Sequence, residues 1–451
     1  MLKNILSFLI STFVDAFRLT HSPEELKSLY GVSLYRNAVY LMASSGVTVF
    51  LGFIFWIVVA RLYPPSYVGL GSALISAAAL LSFIGTLGLG FGIIRFLPNS
   101  EDKAQLLNSS FTLATFTAVA VAVMFLSGLS LWSPKLVFVR QSPVFFASFV
   151  IFTVAYTLIH ILSPTYVAFL QARFTLAVNI ISGLLKLILA AGFTYIWGVF
   201  GIFASWGVGV AVSLLVGLFV FLPRVLPHYR LVPSLQRQSS NEMVHFSFVN
   251  YISHALWQFP VWILPLLVVN VLGAEANAYF YITWAMSFVL FAIPEAASIS
   301  LFAEGAHVEE RLGESLRKSL KLIILLLIPA IVIMVVFGDK FLLLFGRQYS
   351  AEGSQLLRLL VPAALPASIN LLYLGVARVE KRLKNVLLVT AAVALGTLIP
   401  SYLLLPHLNI LGVGVAWLAA QTMVALVVAP RLMKRLREGH ENPSSQAQGC
   451  K

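Results

Sequence analysis

Charged side chains inside long apolar stretches are the residues of this sequence with chemistry to offer. A lone charge is costly in hydrocarbon, so an ionisable residue there marks a cavity, an ion path or a bound counter-charge. Lys186 sits mid-run in Ser182-Gly-Leu-Leu-Lys-Leu-Ile-Leu, and Arg358 lies near the start of a later run. Arg95 follows Gly88-Leu-Gly-Phe-Gly92, and Arg61 closes the first run. A guanidinium offers a fork of donors and an ammonium a point charge; where water is scarce both suit a diphosphate or a sugar acid. The bland alternative for each is a long stem snorkelling to the interface. Glu295, after Pro294, is the acid placed deep in an apolar run. A carboxyl there can couple movement to protons, or neutralise a neighbouring cation or helix end. His160 can relay a proton or be a hydrogen-bonded core histidine. Asn250, Gln258 and Pro260, with His254, Pro265 and Asn270, make one apolar segment both kinked and partly polar, as a gating helix would be.

Enzyme chemistry finds little support. The aspartates are Asp15, Asp102 and Asp339, far apart, and no Asp-x-Asp pair exists for a metal-dependent glycosyl transfer. There is no Gly-Lys-Ser/Thr phosphate loop and no His-Glu-x-x-His. The single cysteine, Cys450, excludes a disulfide or a thiolate metal site within one chain. No catalytic residue, metal or cofactor is expected. The net charge of +13 would suggest nucleic acid in a soluble protein. Here the basic residues fall between apolar runs, so membrane topology explains them and no nucleic-acid partner is expected.

The elements that must position these residues are membrane helices. Of the 451 residues, 59% are hydrophobic and 10% charged. Apolar runs of about 20 residues recur, the length that crosses a bilayer as a helix; the alternation of a barrel strand is missing. An all-α integral membrane fold of about twelve spans follows, at 37–62, 67–91, 106–132, 144–163, 174–197 and 200–222, then 244–272, 276–303, 320–337, 356–377, 386–405 and 410–430. Placing both termini in the cytoplasm puts most of the 30 lysines and arginines on that side, leaving Arg61, Lys135, Arg140, Lys340 and Arg347 opposite. This is the positive-inside asymmetry. The organisation reads as surface helices at 1–35, with Ser22-Pro23-Glu24-Glu25 as a capping box, a six-helix lobe at 36–222, a basic linker at 223–243, a second lobe at 244–430 and a tail at 431–451.

The halves echo each other. Gln171-Ala172-Arg173 matches Val376-Ala377-Arg378, Gly201 and Trp206 match Gly412 and Trp417, and Pro223-Arg224 matches Pro430-Arg431. Six spans per half insert in the same orientation, giving a parallel repeat with a cleft between two bundles, the build of an alternating-access carrier.

Residues 37–98 carry a pattern. Phe55-Trp56-Ile-Val-Val-Ala60-Arg61-Leu62-Tyr63-Pro64-Pro65 leads into Val68-Gly69-Leu70-Gly71-Ser72-Ala73, and Leu87-Gly88-Leu89-Gly90 into Ile93-Ile94-Arg95-Phe96-Leu97-Pro98. This resembles the polysaccharide-biosynthesis flippases of O-antigen type, in the multidrug/oligosaccharidyl-lipid/polysaccharide exporter superfamily. The resemblance implies a cavity between two six-helix lobes and a cargo of polyprenyl-diphosphate-linked oligosaccharide, moved outward across the plasma membrane. It implies membrane lipids, and glycan polymerase or glycosyltransferases, as partners. Lys186, Arg358, Arg95 and Arg61 would hold the diphosphate or sugar acids; Glu295, His160, Asn250, Gln258 and Pro260 would couple or gate. The related lipid II flippases usually have fourteen spans, against twelve here. The alternative is a cation-coupled exporter of amphipathic small molecules, a class that often uses acids, which these spans largely lack.

Overall fold

The computed structural model describes residues 33–193, 197–234, 240–307 and 312–441. The expected surface helices, capping box and Cys450 lie outside them. Described residues form helices and turns, with no strand among them. The first half contains α1 (Ser33–Leu62), α2 (Pro65–Gly85), a short α3 (Leu89–Phe96), α4 (Lys103–Ser127), α5 (Pro143–Ala168), α6 (Ala172–Phe193) and α7 (Gly198–Val216). The second contains α8 (Ser240–Leu272), α9 (Ala274–His307), α10 (Leu312–Leu342), α11 (Arg347–Leu360), α12 (Ala364–Val379), α13 (Leu383–Leu408) and α14 (Leu411–Glu441).

Eleven of these helices are long and apolar enough to cross a membrane, or twelve when α11 and α12 count as one span bent by 45°. That bend corrects the straight span expected at 356–377. Pro362 falls in the break, where it removes a backbone donor. α11 is polar on one side and buries Tyr349, Gly353, Leu356, Leu357 and Leu360 on the other. The second expected span, 67–91, is likewise two helices. Leu87 and Gly88 both take positive φ, 49° and 73°, which ends α2 and starts α3 on a new axis.

Helix packing repeats between halves. α1 packs on α6 and α6 on α7, as α8 packs on α13 and α13 on α14. Within a bilayer the drive is close fit rather than hydrophobic sorting, and aromatic clusters supply the fit. Phe149 and Phe203 stack at 5.7 Å in the first lobe, and Trp284 meets Trp417 at 5.1 Å in the second. The start of the linker is tied down: the Tyr229 hydroxyl donates to Asn108 Oδ1 at 2.7 Å, and Asn108 Nδ2 to the Arg230 carbonyl at 3.0 Å.

The lobes meet chiefly where α2 packs against α8 and α9, with α3 continuing along α8; α1 barely touches α9. The end of the bundle that carries most lysines and arginines is called the basic face below.

Candidate functional site

At the face opposite the basic one the lobes are sealed. Gly69 of α2 lies against the start of α9 so closely that a Cβ there would fall 1.6 Å from the Ala274 carbonyl oxygen. Asn277, fully buried, donates from Nδ2 to the Gly69 carbonyl at 2.7 Å and to Ser72 Oγ at 3.2 Å. Asn270 Nδ2 donates to Ser133 Oγ at 3.1 Å, and the Lys135 amide to Asn270 Oδ1 at 3.3 Å. Arg61, at the end of α1, donates to the carbonyls of Leu343 (2.6 Å) and Leu344 (2.8 Å), just past α10. These carbonyls lie in the turn that follows the C-terminus of α10, where the helix dipole favours a cation. Deeper, Trp56 and Tyr281 face each other at 4.6 Å and Phe53 meets Phe345 at 5.3 Å.

Toward the basic face the flanks differ. On one, α2 and α8 stay joined: Phe83 stacks on Tyr251 at 4.7 Å and packs on Trp262 at 5.0 Å and His254 at 5.5 Å. On the other, α1 and α9 part. A lateral slot of about 540 Å³, counting its open mouth, lies between Thr48, Gly52 and Trp56 of α1 and Ala285, Met286 and Val289 of α9. Its walls are almost wholly apolar. Beyond it, Met42 is 75% and Ile299 59% exposed.

Four titratable side chains from both lobes converge below the Trp56–Tyr281 contact. His160 on α5 is within electrostatic reach of His254 on α8, His254 of Arg378 on α12, and Arg378 of Glu295 on α9. His160, His254 and Glu295 expose surface although they belong to spans. The His160–His254 pair places this cluster where the two lobes meet. Tyr156, on α5 one turn before His160, has its ring 4.7 Å from the His160 ring and 5.0 Å from Trp206. The interface between the lobes is thus polar and mixed in charge toward the basic face and aromatic toward its closed end, with the slot at one side.

The four basic residues singled out from the sequence are not brought together. Arg61 forms the seal just described. Arg95 ends α3, exposed, with its guanidinium 5.4 Å from the Phe96 ring centroid. Arg358 is exposed on the polar side of α11. Lys186 is half-buried inside the first lobe, its Nζ 5.5 Å over the Phe55 ring, with no carboxylate partner among the described residues. Glu295 and His160 do share the cleft. Pro260 is buried and Gln258 half-buried on α8, and the side chain of Asn250 is outside the described part. From the sequence, Arg378 is a repeat marker and one of the cytoplasmic-side basic residues, and Trp56, Tyr156 and Tyr281 have no role. Arg378 had a signal in its place at the end of an apolar run beside the basic turn Lys381-Arg382.

The MatE family model matches residues 251–403, most of the second half. Solved structures match along nearly the whole chain. An inward-facing multidrug resistance MATE family transporter of the MOP superfamily matches with TM-score 0.67 at 13% identity, over 90% of this chain and 99% of that one. The lipid II flippase MurJ in an inward closed conformation matches with TM-score 0.72 at 11% identity, over 89% and 90%. The fold is that of the MOP-superfamily transporters. A third example, a MOP superfamily transporter from Pyrococcus furiosus whose binding pocket is described as reversed in polarity, gives 0.59 at 14% identity, over 90% and 96%. No curated protein matches by sequence. Within this fold the lobes are held together at Arg61, Gly69 and Asn277, and between α1 and α9 they leave the lateral slot.

Proposed function

We propose that this chain is an alternating-access carrier, not an enzyme, that moves a lipid with an anionic head, of the polyprenyl-diphosphate-linked oligosaccharide type, between leaflets. The basic face is cytoplasmic, the membrane is the plasma membrane, and cargo leaves on the opposite side for cell-surface glycan synthesis. The observation that carries this reading is the pairing of a polar cleft with a lateral apolar slot. A diphosphate head beside Arg378, His254 and His160 could keep its lipid tail in the slot between α1 and α9, so neither part would cross an unsuitable medium. The aromatic residues Trp56, Tyr156 and Tyr281 would pack on sugar rings. Partners in this reading are the cargo, the surrounding lipids, and the enzymes that build and polymerise the glycan.

Reconstitution in liposomes with a head-labelled polyprenyl-diphosphate oligosaccharide tests it. Protein-dependent exposure of the label to an impermeant quencher is expected; its absence under every ion gradient tried overturns the proposal. Glu295 beside Arg378 in the cleft favours a second reading, cation-coupled export of amphipathic small molecules. In that case Glu295→Gln abolishes efflux of a cationic dye and the labelled lipid stays where it was.

A further inference from the structure

Away from the cleft, the second lobe carries a groove on its membrane side. It lies between α13 and α14, with α12 behind, and encloses about 810 Å³ counting its open mouth. Leu388, Met423 and Val427 form its walls and are 57%, 67% and 71% exposed, as residues facing acyl chains would be. The groove changes character at one end only. There it is lined by Arg431, Asn385 and Tyr373, with Asn385 Nδ2 donating to the Tyr373 hydroxyl at 3.3 Å. On α14, Val427 and Arg431 stand four residues apart, one above the other on a helix face. On α13, Lys384 stands in the same relation to Leu388, and both are exposed.

The charges at this end are not all spent on each other. Arg435 and Arg382 both pair with Glu380, at 2.5 Å and 3.1 Å, and the Glu380 side chain is 9% exposed. That carboxylate fixes the ends of α12 and α14 together. Arg431, one turn deeper, has no hydrogen bond or ion pair among the described residues, and it borders the groove. The first turn of α13 lacks a side-chain cap, so its amides add positive potential at the same place.

An apolar furrow closed at the basic interface by an arginine, an amide and a phenol, with the exposed Lys384 one turn from Leu388, has the order of parts found in a phospholipid. We infer that this groove is a binding site for an anionic diacyl phospholipid of the leaflet at the basic face. The phosphate lies on Arg431 and Lys384, and one acyl chain runs along Leu388, Met423 and Val427. The main packing of α13 and α14 is with other second-half helices. An occupant here therefore stands off the transport path and braces α12, α13 and α14 as a unit while the cleft changes shape. The inference needs the chain to span a membrane but is independent of what it carries.

Photolabelling of the full-length protein in nanodiscs tests it. A phosphatidylglycerol with a diazirine mid-chain should label peptides containing Leu388 or Val427, and unlabelled phosphatidylglycerol should compete where phosphatidylcholine does not. Arg431→Gln should lower the labelling about fivefold, the worth of one basic residue at an anionic lipid surface, while Arg431→Lys should retain most of it. Val427→Trp, which fills the furrow without touching the charge, should also lower it, and circular dichroism keeps misfolding apart from lost binding. Equal labelling by the zwitterionic lipid overturns the inference. So does competition by a polyprenyl diphosphate but not by phosphatidylglycerol, which would make the groove a berth for cargo.

Discussion

Arg61 Nη2 donates to the Leu343 carbonyl at 2.6 Å, joining residues 282 positions apart in sequence across the two lobes. With the second bond to Leu344, one side chain holds the far end of α1 to the end of α10. An exposed charge-assisted bond to a carbonyl contributes on the order of 1 kcal/mol. Arg61→Gln should therefore shift the balance toward states open on that face by roughly thirtyfold for the pair. Spin labels at Leu131 and Gln348, both exposed, should show a longer distance population by double electron–electron resonance; an unchanged distribution contradicts the latch.

Gly69 should tolerate no side chain in this conformation. Its missing Cβ is what admits the Ala274 carbonyl, and the obstacle is backbone, which cannot rotate aside. Gly69→Ala is expected to destabilise the sealed state by about 1–3 kcal/mol, as overpacking does. A cysteine placed at Asn277 should then react with an impermeant maleimide, and a cysteine at Asn277 alone should react much more slowly.

In the cleft, Arg378→Gln should lower translocation of the labelled lipid diphosphate about tenfold or more, the loss of a charge-assisted contact worth about 1.5–3 kcal/mol. Lys186→Gln should cost less, since Lys186 contacts Phe55 within one lobe. Glu295→Gln, compared directly in the same liposomes, should spare transport of the lipid diphosphate. A flippase defect in Glu295→Gln as deep as that of Arg378→Gln would reassign the carboxyl to energy coupling.

The slot predicts a steric phenotype. Ala285 is only partly covered and lines the gap opposite α1. Ala285→Trp should plug it and block a cargo that enters sideways with its tail in lipid. Fold and melting temperature should stay near those of the parent, and a water-soluble head group without a prenyl chain should still bind, as measured by isothermal calorimetry.

A buried amide pair offers a stability test free of transport. Asn370 Nδ2 donates to Gln421 Oε1 at 2.8 Å and to the Gln421 carbonyl at 3.0 Å, and both residues are fully buried. Asn370→Leu leaves Gln421 without this partner and should cost about 1–3 kcal/mol. Asn370→Leu with Gln421→Leu should recover part of that loss, and melting in detergent distinguishes the two.

Sequence reading succeeded where local physics decides. Hydrocarbon forces backbone groups to pair within a segment, so runs such as 37–62 and 410–430 announce α1 and α14 directly. It failed where a segment bends. Nothing local distinguishes a proline within a continuous helix, as Pro260 and Pro265 are in α8, from Pro362 at a break. The packing of α11 on α9, α10 and α14 settles that.

The chain's alphabet alone thus determined a polytopic helical membrane protein with a repeated half and one basic face, because those properties follow from segment length, hydropathy and charge count. Which cations meet was decided by tertiary structure. Arg61, Arg95, Lys186 and Arg358 look equivalent along the sequence, yet helix rotation sends them to a seal, a rim, a lobe interior and a polar helix side. Arg378, an ordinary boundary arginine by sequence, is carried by α12 to within electrostatic reach of His254 and Glu295. Rotation about a helix axis depends on which neighbours fit, and that fit is set by residues hundreds of positions away.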